Sequence, residues 1–246
     1  MSDFQTVLKP SSRLILTLAT SNPGKRREIQ AMAQACGLAL DVRIPEALAD
    51  VDETGLTFAE NARLKALAAV PFAASPDALV LAEDSGFCVH ALAGRDGWRD
   101  FPGVRSNRWM TPALRSALLG IDASFEEDPL VQAHLSAGIL ALMAQESRRS
   151  AHYAAAMTLV SADGRILLEV EGQMPLTLIA PHEGPRGDGG FGYDPIVMPA
   201  GERRTVAELA PEEKNRLSHR AAAFQRVIDF LKTGVEQRST EQETDS

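Results

Sequence analysis

The hydrophobic pattern at the start of the chain alternates between strand-like and helix-like segments. Residues 13–20 (RLILTLAT) form a continuous apolar run that is typical of a buried strand. Apolar residues then recur at helical spacing over residues 23–36, after Asn22, a favoured N-cap, and with a proline at the first helical position. A second short strand is predicted at residues 40–44.

The middle of the chain repeats this alternation. Residues 57–70 (TFAENARLKALAAV) place apolar side chains at helical spacing, and Thr57 followed by Glu60 matches a capping box, which predicts a helix. Residues 78–82 form another short apolar strand, which is expected to end at the polar sequence EDSG of residues 83–86. The sequence thereby places two acidic residues at the end of a buried strand.

The second half of the chain is richer in strand-like and loop-like segments. In chain order it predicts a loop at 94–112, a helix at 129–146, strands at 151–161 and 165–179, a glycine-rich loop at 184–192 and a helix at 211–232. The two strands are joined by Asp163-Gly164, a hairpin signal. This order of elements predicts an α/β fold with a mixed central sheet, flanking helices and a substrate cleft between two lobes.

Composition and charge narrow the class of protein. The 246 residues include 33 acidic and 25 basic side chains, which give a formal net charge of −8. This balance argues against a general nucleic-acid binder, which presents a basic face, whereas a nucleotide substrate needs only local positive charge. No apolar run approaches the roughly 18 residues of a membrane span. Both cysteines, Cys36 and Cys88, are expected to be reduced, as in a cytoplasmic protein.

Residues 13–234 are predicted to form the folded domain. The preceding residues 1–12 have the composition of a flexible lead-in, and residues 235–246 that of a disordered polar tail.

The turn between the first strand and the first helix, TSNPGK at residues 20–25, has the chemistry of a phosphate site. A helix N-terminus offers unpaired N–H groups and the positive end of the helix dipole, and Lys25 adds a full charge. The Walker A pattern GxxxxGK[ST] is absent. An ordinary capped helix with a solvated lysine is the alternative interpretation.

Two acidic segments are candidates for metal binding. Asp52-Glu53 lies in a glycine turn, for which ordinary solvated turn chemistry is the alternative. Glu83-Asp84 follows a predicted buried strand, at the sheet edge where ligands of α/β proteins bind. Mg²⁺ prefers carboxylate oxygens and is usually held by one or two of them together with substrate phosphates. The sequence therefore favours Asp84 as a metal-binding or catalytic residue.

The glycine-rich segment GPRGDGGFGYD at residues 184–194 is a candidate for contact with a base. Its glycines let the backbone approach a ligand closely, while Phe191 and Tyr193 offer flat faces for stacking. A flexible hairpin loop whose aromatic residues simply pack is the alternative.

The segment KNRLSHR at residues 214–220 concentrates hydrogen-bond donors. Lys214 and Ser218 are four residues apart and are expected on one helical face, directly before His219 and Arg220. A solvated basic helix face is the alternative interpretation.

Five segments occur in an order that is specific in combination. They are LATSNPGK (18–25), ETGLTFAENARLKA (53–66), EDSGFCVHALAG (83–94), GDGGFGYDP (187–195) and AELAPEEKNRLSHRAAAF (207–224). Together they resemble the Ham1 family of inosine triphosphate pyrophosphatases. The resemblance implies a single elongated α/β domain, usually a homodimer, and Mg²⁺-dependent hydrolysis of ITP, dITP and XTP to the monophosphate and pyrophosphate. Such a reaction would clear non-canonical nucleotides from the nucleotide pool.

The resemblance also implies roles for the matching residues. The triphosphate would be bound by Thr20, Ser21, Asn22, Pro23, Gly24 and Lys25, with Lys65 also facing phosphate. Glu53 and Asp84 would hold Mg²⁺, Asp84 would accept the proton of the attacking water, and Ser85 would contact substrate. Phe191, Gly192, Tyr193 and Asp194 would border the base and sugar. Lys214, His219 and Arg220 would contact the purine, with Ser218 also in the substrate site.

Discrimination between purines is expected at position 6 of the base. Hypoxanthine and xanthine carry an oxygen there, which accepts a hydrogen bond, whereas adenine carries an amino group. A donor from His219 or Arg220 would favour the oxygen and leave the amino group without a partner. A phosphohydrolase of another non-standard or pyrimidine triphosphate, and a nucleotide-binding regulator without turnover, are the alternative functions.

Two segments depart from the family pattern. Glu83 stands where the family has aspartate in ADDSG, which keeps the acid but lengthens it. The loop at residues 95–110 is longer and more basic than the corresponding stretch of the family.

Overall fold

The computed structural model describes residues 13–46, 51–121, 130–180, 182–189 and 192–244, with the backbone alone for residues 236–244. The predicted lead-in at residues 1–12 and the predicted base-stacking residue Phe191 lie outside these ranges. Within them, the chain forms seven β-strands and six α-helices. In these same ranges, no helix combines the length and the apolar character that crossing a membrane requires.

The strands form one sheet. They are β1 (Leu14–Ala19), β2 (Leu40–Arg43), β3 (Leu79–Val89), β4 (Pro102–Gly103), β5 (Ser150–Ser161), β6 (Ile166–Leu178) and β7 (Val197–Pro199). The order in the sheet is β2-β1-β3-β5-β6-β7, with β4 paired to β3. β1 is parallel to β2 and β3, whereas β4 is antiparallel to β3 and β7 to β6. The predicted mixed sheet is confirmed.

The helices follow the predicted pattern in part. They are α1 (Pro23–Ala35), α2 (Phe58–Ala68), α3 (Pro112–Leu119), α4 (Val131–Leu142), α5 (Pro211–Leu217) and α6 (His219–Thr244). Asn22 caps α1 and the Thr57–Glu60 capping box forms on α2, as predicted. Helix α3 is not predicted from the sequence, although Thr111 caps its start and Gly120, in the left-handed region at φ 68°, ends it.

Two predicted boundaries are wrong. β3 continues through Glu83 and Asp84 to Val89, so the acidic pair lies inside the strand and does not follow it. The strand tolerates these carboxylates because each has a cationic partner. The predicted final helix is two helices, because Ser218 is extended at φ −64° and ψ 136° between α5 and α6. Lys214 and Ser218 therefore do not share a helical face.

The described residues divide into two compact units. Unit 1 contains those of Met1–Ser85, Ala155–Gln173 and His219–Ser246, and unit 2 those of Gly86–Ala154 and Met174–Ser218. The backbone of α6 is helical to Thr244, within the segment predicted as a polar tail.

Each unit has its own apolar core. In unit 1, the core joins α1 and α6 to the sheet through buried residues such as Leu16, Ile29 and Phe224. A smaller set of alanines and valines packs α2 onto the sheet. In unit 2, the core gathers Phe87 and Trp109 with residues of α4 and β6. Both cysteines are free, as predicted.

Candidate functional site

Strand β3 places two buried carboxylates next to each other in unit 1. Glu83 is 1% exposed and Asp84 is 6% exposed. Adjacent residues of a strand project to opposite faces of the sheet, and the partners of these two carboxylates differ accordingly. Glu83 pairs with side chains of α1 and α6, whereas Asp84 pairs with side chains of α2.

The Asp84 carboxylate is held by two residues of α2. Lys65 Nζ lies 2.7 Å from Asp84 Oδ1 and 2.8 Å from Glu53 Oε1, so one ammonium group bridges two carboxylates. Asn61 Nδ2, one helical turn earlier, donates to Asp84 Oδ2 at 3.3 Å. Asn61 Oδ1 in turn accepts the N–H of Gly55 at 2.8 Å, and a Cβ on Gly55 would lie only 2.6 Å from that oxygen. This close approach fixes the segment that carries Glu53.

The bridging position keeps Lys65 charged. Burial acts to lower the pKa of Lys65, but the neighbouring carboxylates of Asp84 and Glu53 outweigh burial and raise the pKa above 10.5. The Lys65 ammonium therefore neutralises part of the charge of both predicted metal ligands.

The Glu83 carboxylate is held mainly by Arg220, near the start of α6. Arg220 Nε and Nη2 donate to the two oxygens of Glu83 at 2.8 and 3.0 Å, which is the bidentate arrangement. Arg220 Nη1 donates to Glu28 of α1, and Nη2 also lies 3.4 Å from Ser85 Oγ. Lys25 Nζ lies 3.6 Å from Glu83 Oε1. Burial acts to raise the pKa of Glu83, but Lys25 and Arg220 prevail and lower it.

Among the cations Lys25, Lys65 and Arg220, Lys25 loses its charge most easily, because its pKa is lowered whereas the other two pKa values are raised. Burial lowers its pKa below 10.5, the charge of Glu83 opposes that change, and the like charges of Lys65 and Arg220 add to it. Lys25 also interacts with Asp84. The charged cluster, defined as Lys25, Lys65, Arg220, Glu28, Glu53, Glu83 and Asp84, thus contains three cations and four carboxylates. A polyphosphate brought there would need additional positive charge.

The predicted phosphate turn is already capped by its own side chains. Asn22 Oδ1 accepts the N–H groups of Gly24 at 2.8 Å and Lys25 at 3.1 Å. The Asn22 N–H lies 3.2 Å from Thr20 Oγ1, and Ser21 is exposed. Two of the N–H groups expected to face phosphate therefore donate to Asn22, and Lys25 supplies the full positive charge of this turn.

Tyr193 of unit 2 is a core residue. It is 4% exposed, and its ring stacks on Phe87 with the centroids 4.6 Å apart. Its hydroxyl donates to the carbonyl of Ser106 at 2.6 Å and accepts from Trp109 Nε1 at 2.9 Å. Burial raises the pKa of Tyr193. One face of the ring predicted to stack on a base is thus packed against another side chain.

Asp194 of unit 2 is also buried, at 3% exposure. Tyr153 donates to its Oδ1 at 2.8 Å and Lys214 donates to its Oδ2 at 2.7 Å. The Lys214 side chain is 27% exposed and reaches the surface. The carbonyl of Gly192, the residue before Tyr193, accepts from Ser136 Oγ of α4 at 2.9 Å.

The start of α6 is fixed by a close approach of the backbone in unit 1. A Cβ on Gly172 of β6 would lie 2.2 Å from the carbonyl oxygen of His219 and 2.4 Å from the nitrogen of Ala223. Glycine at this position therefore lets the helix lie directly on the strand, which sets the place of His219 and Arg220. Ser218, the last residue of unit 2, is 6% exposed.

The structure thus brings the predicted residues together in two groups. In unit 1 these are Lys25, Glu53, Lys65, Asp84, Ser85 and Arg220. In unit 2 they are Asp194 and Lys214. Across the part of the chain that the structure describes, no three or more His, Cys, Asp or Glu side chains gather as a metal site.

Three residues that contribute to these groups are not predicted from the sequence. Glu28 lies three residues after Lys25 on α1, a spacing that could have indicated a shared face. Asn61 lies in the quoted ENARLKA segment and is fully buried, one turn before Lys65. Tyr153 lies in a strand of small and apolar residues, where no local signal distinguishes it from core packing.

Sequence comparisons find relatives that match this chain over most of its length. A model of the Ham1 family matches residues 16–230. The dITP/XTP pyrophosphatase of Streptomyces coelicolor is 40% identical over 220 residues, which cover 88% of this chain and 96% of that protein. The dITP/XTP pyrophosphatase of Symbiobacterium thermophilum is 39% identical over 225 residues, covering 90% and 97%.

Solved structures are also similar to this chain over most of its length. A HAM1 protein from Coxiella burnetii has a TM-score of 0.69 at 30% identity, covering 89% of this chain and 99% of its own. A nucleoside-triphosphatase / dITP/XTP pyrophosphatase from Mycobacterium abscessus has a TM-score of 0.60 at 30% identity, covering 87% and 97%. The chain therefore belongs to the Ham1 family.

Proposed function

We propose that this protein hydrolyses the non-canonical purine nucleoside triphosphates ITP, dITP and XTP to the monophosphate and pyrophosphate, in a Mg²⁺-dependent reaction. The observation that carries the proposal is the bridge from Lys65 to Asp84 and Glu53, next to Lys25 and Arg220 in one charged cluster. In such a cluster the cationic side chains can bind phosphate oxygens, and the carboxylates can bind a divalent cation that accompanies the phosphates. The names of the Streptomyces and Symbiobacterium relatives give the same substrate class.

The residues of the cluster fit a magnesium ion. Oxygens of Glu53 and Asp84 lie 2.8 and 2.7 Å from one ammonium nitrogen, so the two carboxylates already converge on one cation. Both offer the hard oxygen ligands that Mg²⁺ prefers, with substrate phosphates and water completing the shell. Glu53 and Asp84 would hold the ion, which when bound neutralises charge on the phosphates.

Phosphate binding, proton acceptance and the orientation of the acceptor are assigned to side chains of the protein. Lys25 and Lys65 bind phosphate oxygens, and Asp84 accepts a proton from the water that attacks the phosphoanhydride. Asn61 holds Asp84 Oδ2 and so orients the carboxylate that receives the proton. Arg220 has its nitrogens engaged by Glu83 and Glu28, so we assign it to the support of the cluster and not to the base.

Base selection is assigned to donors outside this cluster of carboxylates. Lys214 and His219 would donate to carbonyl oxygens of hypoxanthine or xanthine and find no acceptor on the amino group of adenine. By the family resemblance, the enzyme works as a homodimer in the cytoplasm and clears non-canonical nucleotides from the pool.

The test is a screen of the purified protein with Mg²⁺ against ITP, dITP, XTP and the common purine and pyrimidine triphosphates. Pyrophosphate and orthophosphate are measured separately, with Asp84→Asn as the matched inactive control. Release of pyrophosphate from ITP, dITP and XTP in preference to ATP is expected. Stepwise release of orthophosphate, preference for pyrimidines, or binding without turnover would each reject the proposal.

A further inference from the structure

Tyr153 joins the Asp194–Lys214 pair although no sequence motif contains it. It lies in the part of β5 that belongs to unit 2, and its ring packs on Phe87 with the centroids 5.4 Å apart at an angle of 59°. Its hydroxyl donates to Asp194 Oδ1 at 2.8 Å, on the oxygen that Lys214 does not use. Burial first, and then the charge of Asp194, raises the pKa of Tyr153 well above 10, so the phenol remains a hydrogen-bond donor at neutral pH.

Asp194 is the buried centre of this chain of hydrogen bonds, and Lys214 is its partly exposed end. Asp194 opens a short 3-10 helix, Asp194–Ile196, in which the following residue is a proline. Its carboxylate is 5% exposed, whereas the Lys214 side chain is 27% exposed. A lysine side chain has four rotatable bonds and loses considerable freedom when it is held in one place. The buried carboxylate therefore determines where the ammonium group of this partly exposed side chain lies.

The start of α5, which carries Lys214, is anchored separately. Arg204 donates from Nη1 and Nη2 to the carboxylate of Glu213 at 3.0 and 3.1 Å. Glu213 in turn accepts the N–H of Ala210 at 3.0 Å. The backbone of α5 is thus fixed without Tyr153, and loss of the Tyr153 hydroxyl should affect the Lys214 side chain and not its helix.

We propose that Tyr153 is a positioning residue for base selection, which acts through Asp194 to hold the Lys214 ammonium where it donates to a carbonyl oxygen of the purine. The assignment rests on the proposed function. An ammonium group has three donors and no acceptor, so a fixed ammonium pairs with a carbonyl oxygen but not with an amino group. An ammonium that moves freely would turn away from the amino group and lose this discrimination.

The test is a double-mutant cycle of Tyr153→Phe and Lys214→Met, with kcat and KM measured for ITP and ATP. Tyr153→Phe removes one hydroxyl and keeps the ring on Phe87. We expect KM for ITP to rise about tenfold, kcat to stay within about twofold, and the preference for ITP over ATP to fall. In the Lys214→Met background the same change should have no further effect on KM, because Lys214 is no longer there to be positioned.

Thr205→Val is the matched control, since it also removes a buried hydroxyl of unit 2. The Thr205 hydroxyl donates to the carbonyl of Arg186 at 2.8 Å, outside the Tyr153–Asp194–Lys214 chain, and its loss should leave the ITP preference unchanged. An unchanged KM in Tyr153→Phe, or an equal rise in the Lys214→Met background, would overturn the inference while leaving the proposed function intact. A wild-type protein without turnover of ITP would overturn both.

Discussion

Lys65 acts as an internal counter-ion for the two carboxylates proposed to hold magnesium, and its removal is the sharpest test of the charged cluster. In Lys65→Met, a side chain of similar length remains but the ammonium is lost. Glu53 and Asp84 then face each other without a shared cation. The Asp84 side chain is 8% exposed and that of Glu53 is 26% exposed, so water can compensate only in part.

The expected loss of stability follows from this burial. Removal of one partner from a fully buried ion pair destabilises a protein by roughly 3–5 kcal/mol. Because Lys65 and Glu53 are partly exposed, we expect about 2–3 kcal/mol for Lys65→Met. For a chain of this size, that corresponds to a fall of about 5–10 °C in the thermal midpoint.

Arg63→Met supplies the control on the same helix. Arg63 forms a bidentate pair with Glu169, but its side chain is 46% exposed and that of Glu169 is 31% exposed. Such surface pairs contribute roughly 1 kcal/mol or less. Unfolding in urea and by heat, at neutral pH without divalent cations, should therefore separate the two variants clearly.

Addition of Mg²⁺ extends the test without any measurement of turnover. In Lys65→Met the ion would take the place of the lost ammonium group between Glu53 and Asp84, whereas in the wild type it must compete with that group. Mg²⁺ should therefore raise the thermal midpoint of Lys65→Met more than that of the wild type. A loss of stability no larger than that of Arg63→Met, or an equal effect of Mg²⁺ on variant and wild type, would refute the counter-ion role.

Three further predictions concern neighbouring groups. Asp84→Asn should abolish pyrophosphate release while nucleotide binding, followed by calorimetry, remains largely intact; near-normal turnover would contradict the role of Asp84. The pKa of Glu83 is lowered well below 4.5, so the stabilisation from its pairing is fully present above about pH 5 and is lost progressively as the pH falls below that value. Glu83→Gln should therefore flatten the fall in unfolding free energy between about pH 5 and pH 2, and an unchanged slope would contradict this. Burial raises the pKa of Cys88 to about 12, so its alkylation at pH 8 should be slow in the folded protein and fast in denaturant; equal rates would refute this.

Local signals in the sequence predict most of the fold. The cap at Asn22, the capping box at Thr57 and the turn at Gly164 are short-range features, and each forms as predicted. The break at Ser218 was missed because the residues on both sides favour a helix, and the interruption becomes visible only in the backbone conformation.

The extent of β3 was missed for a different reason. Acidic residues are rare in buried strands, so the pattern predicts an end of the strand before Glu83. The strand continues because Arg220, 137 residues later, supplies a bidentate partner for that carboxylate. Periodicity cannot reveal a counter-ion at such a distance along the chain.

The candidate residues themselves could be identified in advance, but several of their partners could not. Lys25, Lys65 and Asp84 stand in recognisable segments, and all three belong to the charged cluster. The attachment of Arg220 to Glu83 and Glu28, and of Asp194 to Tyr153, depends on side-chain directions that only the folded chain defines.

The pairing of Glu83 with Arg220 has a consequence for protein synthesis. Glu83 is synthesised well before the guanidinium group that pairs with it, since Arg220 follows 137 residues later in the chain. A truncated product that stops before α6 would carry an uncompensated acid in the interior of unit 1. Chains that end before α6 should consequently fail to fold completely and be degraded by proteases, so that the charged cluster forms only in molecules that contain α6.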